Sequence, residues 1–328
     1  MNMKLVLPTD YVEQATELVK KAKKRVFLIS MVIADHPATH SLIEELMDAA
    51  KRGVSVTVTA DIFTYGEVSG GFLPLRFYSP GIKEVNVMVK HMRAAGVKFL
   101  WLGRARATFA TGRTHNKWCV IDDTSFTFGG VNMYQEGVAE NTDYMFRIAD
   151  ARLADRLVHE QKRIAKAERT TTNYPSVAYE LDGSSVLFDG GIIAHSIIYR
   201  RAVELAHEAT EILFVSQYCP TGKLARVLKK KSVQLYFNRP ERANLLNGAL
   251  IRVSMFQSRL KTLYTKDAYL HAKFIIFTMP DGSKVAITGS HNFAYTAVLF
   301  GTREIALETT DTHIIKQLET FYKEKIAS

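Results

Sequence analysis

The sequence predicts an α/β protein of two similar halves, each an α-β-α sandwich domain. Three observations predict it. Apolar strand-like runs alternate with amphipathic helical stretches from end to end, the pattern of layered α/β domains. The order helix–strand–helix–strand, then His-x-Lys, then Gly-x-x-Asn, then strand–helix occurs twice, and self-similarity at so long a period marks a duplication. A chain of 328 residues, 47% hydrophobic and 23% charged, is long enough for two soluble domains with their own cores. The domains are placed at 1–170 and 176–328, with the polar, aperiodic run Arg169 to Pro175 as linker.

Taken in order, Thr9 or Asp10 caps a first helix carrying Val12, Ala15, Leu18, Val19 and Ala22 at helical spacing. The basic run Lys20 to Arg25 closes it, as the negative end of the helix dipole favours. A strand Val26 to Ile33 follows, then a break at Asp35-His36-Pro37. The capping box Ser41 to Glu44 opens a helix reaching Lys51, and Val54 to Thr59 alternates as a strand. Tyr65 to Gly81 reads as a loop with four glycines, two prolines and the apolar set Phe72, Leu73, Leu75, Phe77 and Tyr78. That set, with Arg76, suits either a lipid surface or a self-packed lid. A helix Val85 to Ala95, a strand Val97 to Leu102 and a basic loop with Arg104, Arg106 and Arg113 lead to the first motif; a strand Asp143 to Ile148 and a helix from Ala151 to Lys166 finish the half. The second half reads as a helix carrying Ile192, Ile193, Ile197 and Leu205, a strand Glu211 to Ser216, a helix Lys223 to Lys230 and a strand Val233 to Phe237. A helix within Arg239 to Gly248, a strand Leu250 to Met255, the second motif, a strand Glu304 to Leu307 and a helix Thr312 to Lys325 complete it.

The motifs carry the chemistry. His115-Asn116-Lys117 leads into an apolar run, a turn at Asp122-Asp123, a return run with Phe126 and Phe128, and Gly129-Gly130-Val131-Asn132. His271-Ala272-Lys273 leads into Phe274 to Phe277, a turn at Pro280 to Ser283, a return strand, and Gly289-Ser290-His291-Asn292. A histidine and a lysine two apart share one face of a strand. An imidazole is a competent nucleophile toward phosphorus and a competent acid near neutral pH. Lysine ammonium, asparagine amide and backbone donors of a glycine turn stabilise phosphate charge. With two sets, one histidine attacks phosphorus, and the other protonates the leaving oxygen and then activates the incoming alcohol or water. Four cationic or amide groups clamp the phosphate, so the reading calls for no metal and no cofactor. One His-x-Lys is a weak signal; two copies with Asn132 and Asn292 at similar offsets are a strong one. An orienting carboxylate is expected beside each imidazole. Asp143, 28 residues after His115, and Glu304, 33 after His271, begin the corresponding strands, and Asp143 is the acid expected beside His115.

These residues bring the chain to a family. The pattern His-x-Lys-x-x-x-x-Asp with downstream Gly-Gly or Gly-Ser-x-Asn resembles the phospholipase D superfamily, over nearly the whole chain. Gly129-Gly130, Gly289-Ser290 and the strand-end Tyr218-Cys219-Pro220 look most like its cardiolipin synthase branch. The resemblance implies two phospholipase D-like domains related by a pseudo-twofold, an active site at their interface and a phosphohistidine intermediate. It also implies that His115 is the nucleophile and His271 the general acid, with Lys117, Lys273, Asn132, Asn292, Asp143 and Glu304 completing the catalytic set. The pattern is broken once: Asp122 stands at the motif aspartate of the first copy, Thr278 at that of the second, so Asp122 is read as a structural brace. The branch's N-terminal membrane spans are not found.

The formal charge of +10 points to a polyanionic partner, a phospholipid headgroup at an anionic membrane surface or a nucleic acid, although a basic surface also aids solubility. A phospholipid-directed phosphatidyltransferase or hydrolase is the first reading. A nuclease or phosphodiesterase is the alternative, ranked below because no alternating aromatic and basic residues mark a strand-tracking groove. A non-catalytic basic binding module comes last. Cys119 and Cys219 lie among apolar residues and read as free thiols of a reducing compartment. The longest apolar run, Val26 to Ala34, is shorter than the roughly 20 residues a bilayer requires, and Met1 to Leu7 is too short for a signal peptide. The expectation is a cytoplasmic protein that meets a membrane at its surface.

Overall fold

The computed structural model describes residues 3–70, 79–103 and 112–327. The apolar stretch Phe72 to Tyr78 and the loop arginines Arg104 and Arg106 lie outside them. The chain divides into two compact units. The first comprises residues 1–127, 131–140 and 144–173; the second comprises 174–328 together with Phe128–Gly130 and Asn141–Asp143. Two short pieces of the first half of the sequence thus belong to the second unit, and one of them contains Asp143.

The first unit runs β1 (Met3–Val6), α1 (Pro8–Lys21), β2 (Arg25–Ser30), α2 (His40–Lys51), β3 (Ser55–Asp61), α3 (Phe63–Val68), α4 (Pro80–Ala94), β4 (Lys98–Leu102), β5 (Trp118–Ile121), β6 (Thr124–Thr127), β7 (Met145–Ala149) and α5 (Ala151–Thr170). Its seven-stranded sheet has the order β1-β7-β6-β5-β2-β3-β4. Strands β2, β3 and β4 are parallel; the rest pair antiparallel. The central strands are apolar on both faces because helices cover both. Tyr11, Ala15 and Val19 of α1, Ile43 and Leu46 of α2, and Val85 and Met92 of α4 join Leu28, Val58 and Cys119 in one core. On the other face α5 packs over β2, β5 and β6, burying Leu157 and Ile164.

The second unit continues with β8 (Val177–Leu181), β9 (Ser184–Phe188), α6 (Ile197–Glu208), β10 (Glu211–Val215), α7 (Gly222–Leu228), β11 (Ser232–Tyr236), α8 (Leu245–Ser258), β12 (Phe274–Thr278), β13 (Lys284–Gly289), α9 (Tyr295–Leu299), β14 (Ile305–Thr309) and α10 (Thr312–Phe321). Its sheet, β11-β10-β12-β13-β14-β9-β8, also has seven strands. Only β10 and β11 are parallel. The parallel pair β2/β3 followed by the antiparallel run β5, β6, β7 is matched by β10/β11 followed by β12, β13, β14. Ile198 and Ala202 of α6, Leu224 of α7 and Ile251 of α8 meet Phe214, Ile275 and Ile287 in its core, while α10 covers the opposite face.

Several elements depart from the sequence expectation. Ser41 and Glu44 form no capping box: α2 begins at His40, and Thr39 at its N-cap donates its hydroxyl to the Ala34 carbonyl, 2.6 Å away. Leu250 to Met255 is not a strand but the interior of α8. Asn244 caps that helix by accepting from the Asn247 amide at 2.9 Å, and Gly248 lets it pack on the Pro240 carbonyl, where a Cβ would come within 2.5 Å. Ile192 and Ile193 precede α6 and are exposed, and the β8–β9 hairpin stands before them. Its turn, Asp182-Gly183, has positive φ at both residues, the tight hairpin turn that an Asp-Gly pair favours. A further strand the sequence pattern does not predict is β1: Met3–Val6 pairs antiparallel with β7.

Candidate active site

Both His-x-Lys pairs lie in extended segments that run into a strand rather than in the strand itself: 115–117 lead into β5 and 271–273 into β12. In each the lysine folds back on its own histidine. Lys117 Nζ donates to the His115 carbonyl at 2.8 Å, and Lys273 Nζ donates to the His271 carbonyl. Both ammonium groups are fully buried. This bond fixes where each ammonium sits.

In the second unit the site assembles around His271. Its Nδ1 lies 2.7 Å from Asp143 Oδ2, and both side chains are buried. This corrects the sequence expectation, which set Asp143 beside His115. The reason is backbone pairing. Thr142 forms a parallel bridge with Leu270; its amide donates to the Tyr269 carbonyl at 2.8 Å, and its carbonyl accepts from the His271 and Ala272 amides at 3.0 and 2.9 Å. The residue after Thr142 is therefore carried to the imidazole of the second motif.

Gly130 holds the other side of the acid. Its amide donates to Asp143 Oδ1 at 3.2 Å. A Cβ at Gly130 would come within 2.6 Å of Asp143 Oδ2 and 2.9 Å of Lys273 Nζ, so only glycine permits this approach. Ser290 occupies the matching place in the second copy, and its hydroxyl donates to Glu304 Oε2 at 2.5 Å. Glu304 is buried just ahead of β14. Burial pushes the Lys273 ammonium down to about 8, while the negative charges of Asp143 and Glu304 oppose that shift. Asn292 is buried nearby in sequence, and its Oδ1 has no hydrogen-bond partner among the described residues.

In the first unit, which also holds His115 and Lys117, Asn132 Oδ1 accepts at 3.4 Å from both the Ser30 hydroxyl at the end of β2 and the Val32 amide just after it. The amide group of Asn132 is thereby oriented, leaving its NH₂ as the donor end. Asp122 stands apart from these groups. Its carboxylate accepts from the Lys23, Lys24 and Arg25 amides at 2.9–3.0 Å, which ties the β5–β6 hairpin to the start of β2. Burial acts to raise its pKa, but these bonds outweigh it and hold the carboxyl below its ordinary value.

Two positioning residues had no legible signal. Asn238, fully buried, accepts from the Leu270 amide at 2.8 Å and donates to the Leu270 carbonyl at 2.7 Å, fixing the backbone just before His271. Thr142 acts through its main chain, which no residue type announces. His291 turns its Nδ1 to the Phe293 amide at 2.8 Å and shapes its own loop. Tyr218 donates to Asn247 Oδ1 of α8 at 2.8 Å. Among the described residues no group of three His, Cys, Asp or Glu side chains forms a metal-ion site. Both cysteines are buried free thiols.

Comparison with known proteins adds the family. Residues 16–165 match the family described as "Cardiolipin synthase, PLD-like domain". No curated protein sequence matches the chain. Among solved structures, the chain is similar to phosphatidylserine synthase of Haemophilus influenzae Rd KW20, with a TM-score of 0.71 and 16% identity over 98% of this chain and 85% of that one. It is also similar to polyphosphate kinase of Porphyromonas gingivalis, with a TM-score of 0.62 and 12% identity over 97% of this chain and 49% of that one. At these identities the two structures show a common fold.

Proposed function

We propose that this chain, whose residues 16–165 match the family described as "Cardiolipin synthase, PLD-like domain", is a metal-independent phosphodiester transferase or hydrolase of the phospholipase D superfamily that acts on phospholipids through a phosphohistidine intermediate. The observation that carries this reading is the buried 2.7 Å contact between His271 Nδ1 and Asp143. A carboxylate at Nδ1 fixes the tautomer with the proton on that nitrogen, so Nε2 is the atom that gives and takes a proton during turnover. His271 then serves as general acid–base, and His115 is the nucleophile.

In the first step a His115 nitrogen bonds to phosphorus and the P–O bond to the leaving alcohol breaks. His271 supplies that oxygen with a proton. In the second step His271 takes a proton from the incoming alcohol or water, whose oxygen displaces His115 and restores the enzyme. Lys117, Lys273, Asn132 and Asn292 stabilise the phosphate charge as it develops. Glu304, buried and hydrogen-bonded to Ser290, is the counterpart of Asp143 in the second copy. Similarity over nearly the whole chain to a phosphatidylserine synthase supports a phospholipid as the substrate.

The test is a trap. His271→Ala protein incubated with phospholipid labelled in its phosphate should accumulate label on His115, and label on any other residue overturns the assignment. Phosphatidylglycerol, phosphatidylethanolamine and short DNA, offered in parallel with products separated by mass, decide the substrate class. The formal charge of +10 favours nucleic acid as the second reading, and turnover of the DNA alone would install it.

A further inference from the structure

We infer that the outward face of α8 is a docking surface for an anionic lipid bilayer, with the helix lying in the membrane interface. Leu245, Ala249, Val253 and Phe256 are spaced four, four and three residues apart and share one helix face. Leu245 is 94% exposed, Phe256 85% and Val253 54%, and Leu250 beside them is exposed as well. Soluble surfaces scatter such side chains singly; a contiguous set on one helix marks an interaction site. The inward face is fastened by its own bonds: Asn247 accepts from Tyr218, Ser258 Oγ lies 3.2 Å from Cys219 Sγ, and Ile251 is in the core. The helix is held as firmly inside as it is bare outside.

Charge chooses the occupant. Residues 239–267 hold six cationic side chains, Arg239, Arg242, Arg252, Arg259, Lys261 and Lys266, against two acids, Glu241 and Asp267, which pair with Arg252 and Arg242 and leave a cationic excess. An apolar helix face rimmed by arginine and lysine matches the acyl boundary and the negative headgroups of an anionic leaflet. A second copy of the chain is the weaker fit, since a twofold contact through this face would set the same cations against one another.

The helix also sits where docking helps the chemistry. Tyr218 lies in the loop after β10, and β10 pairs antiparallel with β12 so that Val215 faces Phe274. His271 lies three residues before Phe274, at the same edge of the sheet. Asn238 ties the two sides together, donating to the Gln217 and Leu270 carbonyls at 3.0 and 2.7 Å. A bilayer engaged by α8 therefore meets this unit on the edge that carries His271.

The test compares the intact protein with the variant L245S/V253S/F256S, whose changes are all on the surface and whose melting temperature serves as the folding control. Co-sedimentation with phosphatidylglycerol–phosphatidylcholine vesicles is expected to fall at least tenfold in the variant, and the intact protein should bind pure phosphatidylcholine far less. Equal binding by the two proteins overturns the proposal. So does a concentration-dependent dimer that the variant abolishes in sedimentation equilibrium without vesicle binding by either protein. Docking is independent of the reaction proposed above, and the two fail separately. His271→Ala should bind vesicles normally, and L245S/V253S/F256S should turn over a monomerically dispersed short-chain phospholipid at the intact rate. Vesicle binding lost in the variant, with no phospholipid turnover by either protein, would retain the docking surface and remove the lipid reaction.

Discussion

At the scale of residues, Asp143, His271 and Lys273 form one electrostatic unit. Asp143 touches the imidazole directly, so Asp143→Asn keeps the shape and loses the carboxylate that orients His271 through Nδ1. By comparison with the equivalent change in a catalytic triad, turnover should fall by roughly 10²–10⁴-fold with the melting temperature little changed. If Lys273 clamps the phosphate as proposed, it should set the alkaline limit of activity. Its folded pKa of about 8 lies below its ordinary value of 10.5, because burial penalises the ammonium more than the two carboxylates restore it. Above about pH 8 the clamp loses its charge, and kcat/KM should decline about tenfold per pH unit. The stability effect has the opposite sign. Between about 8 and 10.5 the unfolded chain binds the proton that the folded chain has released, so this group's contribution to stability rises with pH. A pH–rate profile beside thermal melts at the same pH values separates the two: activity should fall over a range in which Lys273 does not drive unfolding.

At the scale of elements, the motif hairpins are built alike and braced differently. In the first copy the Asp122 carboxylate, in the β5–β6 turn, gathers the backbone amides of Lys23, Lys24 and Arg25 at the start of β2. Asp122 has φ of 48°, a left-handed conformation that Asp and Asn tolerate better than alanine. In the second copy the Thr278 carbonyl accepts from the Thr210 amide at 2.8 Å and its hydroxyl at 3.1 Å. Asp122→Ala removes the acceptor and strains the turn, and should cost about 2 kcal/mol in urea unfolding while leaving kcat per folded molecule within about twofold. Elements whose patterns were long and periodic, such as α1, α5 and α10, were legible. Short ones were not: the six residues Leu250 to Met255, four of them apolar, fit a strand or a helix segment equally, and capping by Asn244 together with the fit of Gly248 decided it. The β8–β9 hairpin did leave a trace, the Asp182-Gly183 pair between alternating residues.

At the scale of the whole molecule, the duplication makes a prediction about additivity. If the histidines are successive partners in one reaction, His115→Ala and His271→Ala should each abolish turnover to a similar floor, and the double variant should be no worse than either. A multiplicative loss in the double variant would mean that the two motifs act independently. The sequence by itself determined the doubled α/β order, the two His-x-Lys pairs with their asparagines, the candidate acids and the brace role of Asp122, because residue type and spacing are local properties. Only the tertiary structure decided which histidine receives Asp143. That choice depends on Thr142 pairing with Leu270, 128 residues away in sequence, and on a glycine at 130 leaving room for the acid and the lysine together. It also decided that α8 is a helix with one face fastened and the other bare. Composition records how many apolar residues a segment has, but burial is settled only when the rest of the chain packs against it.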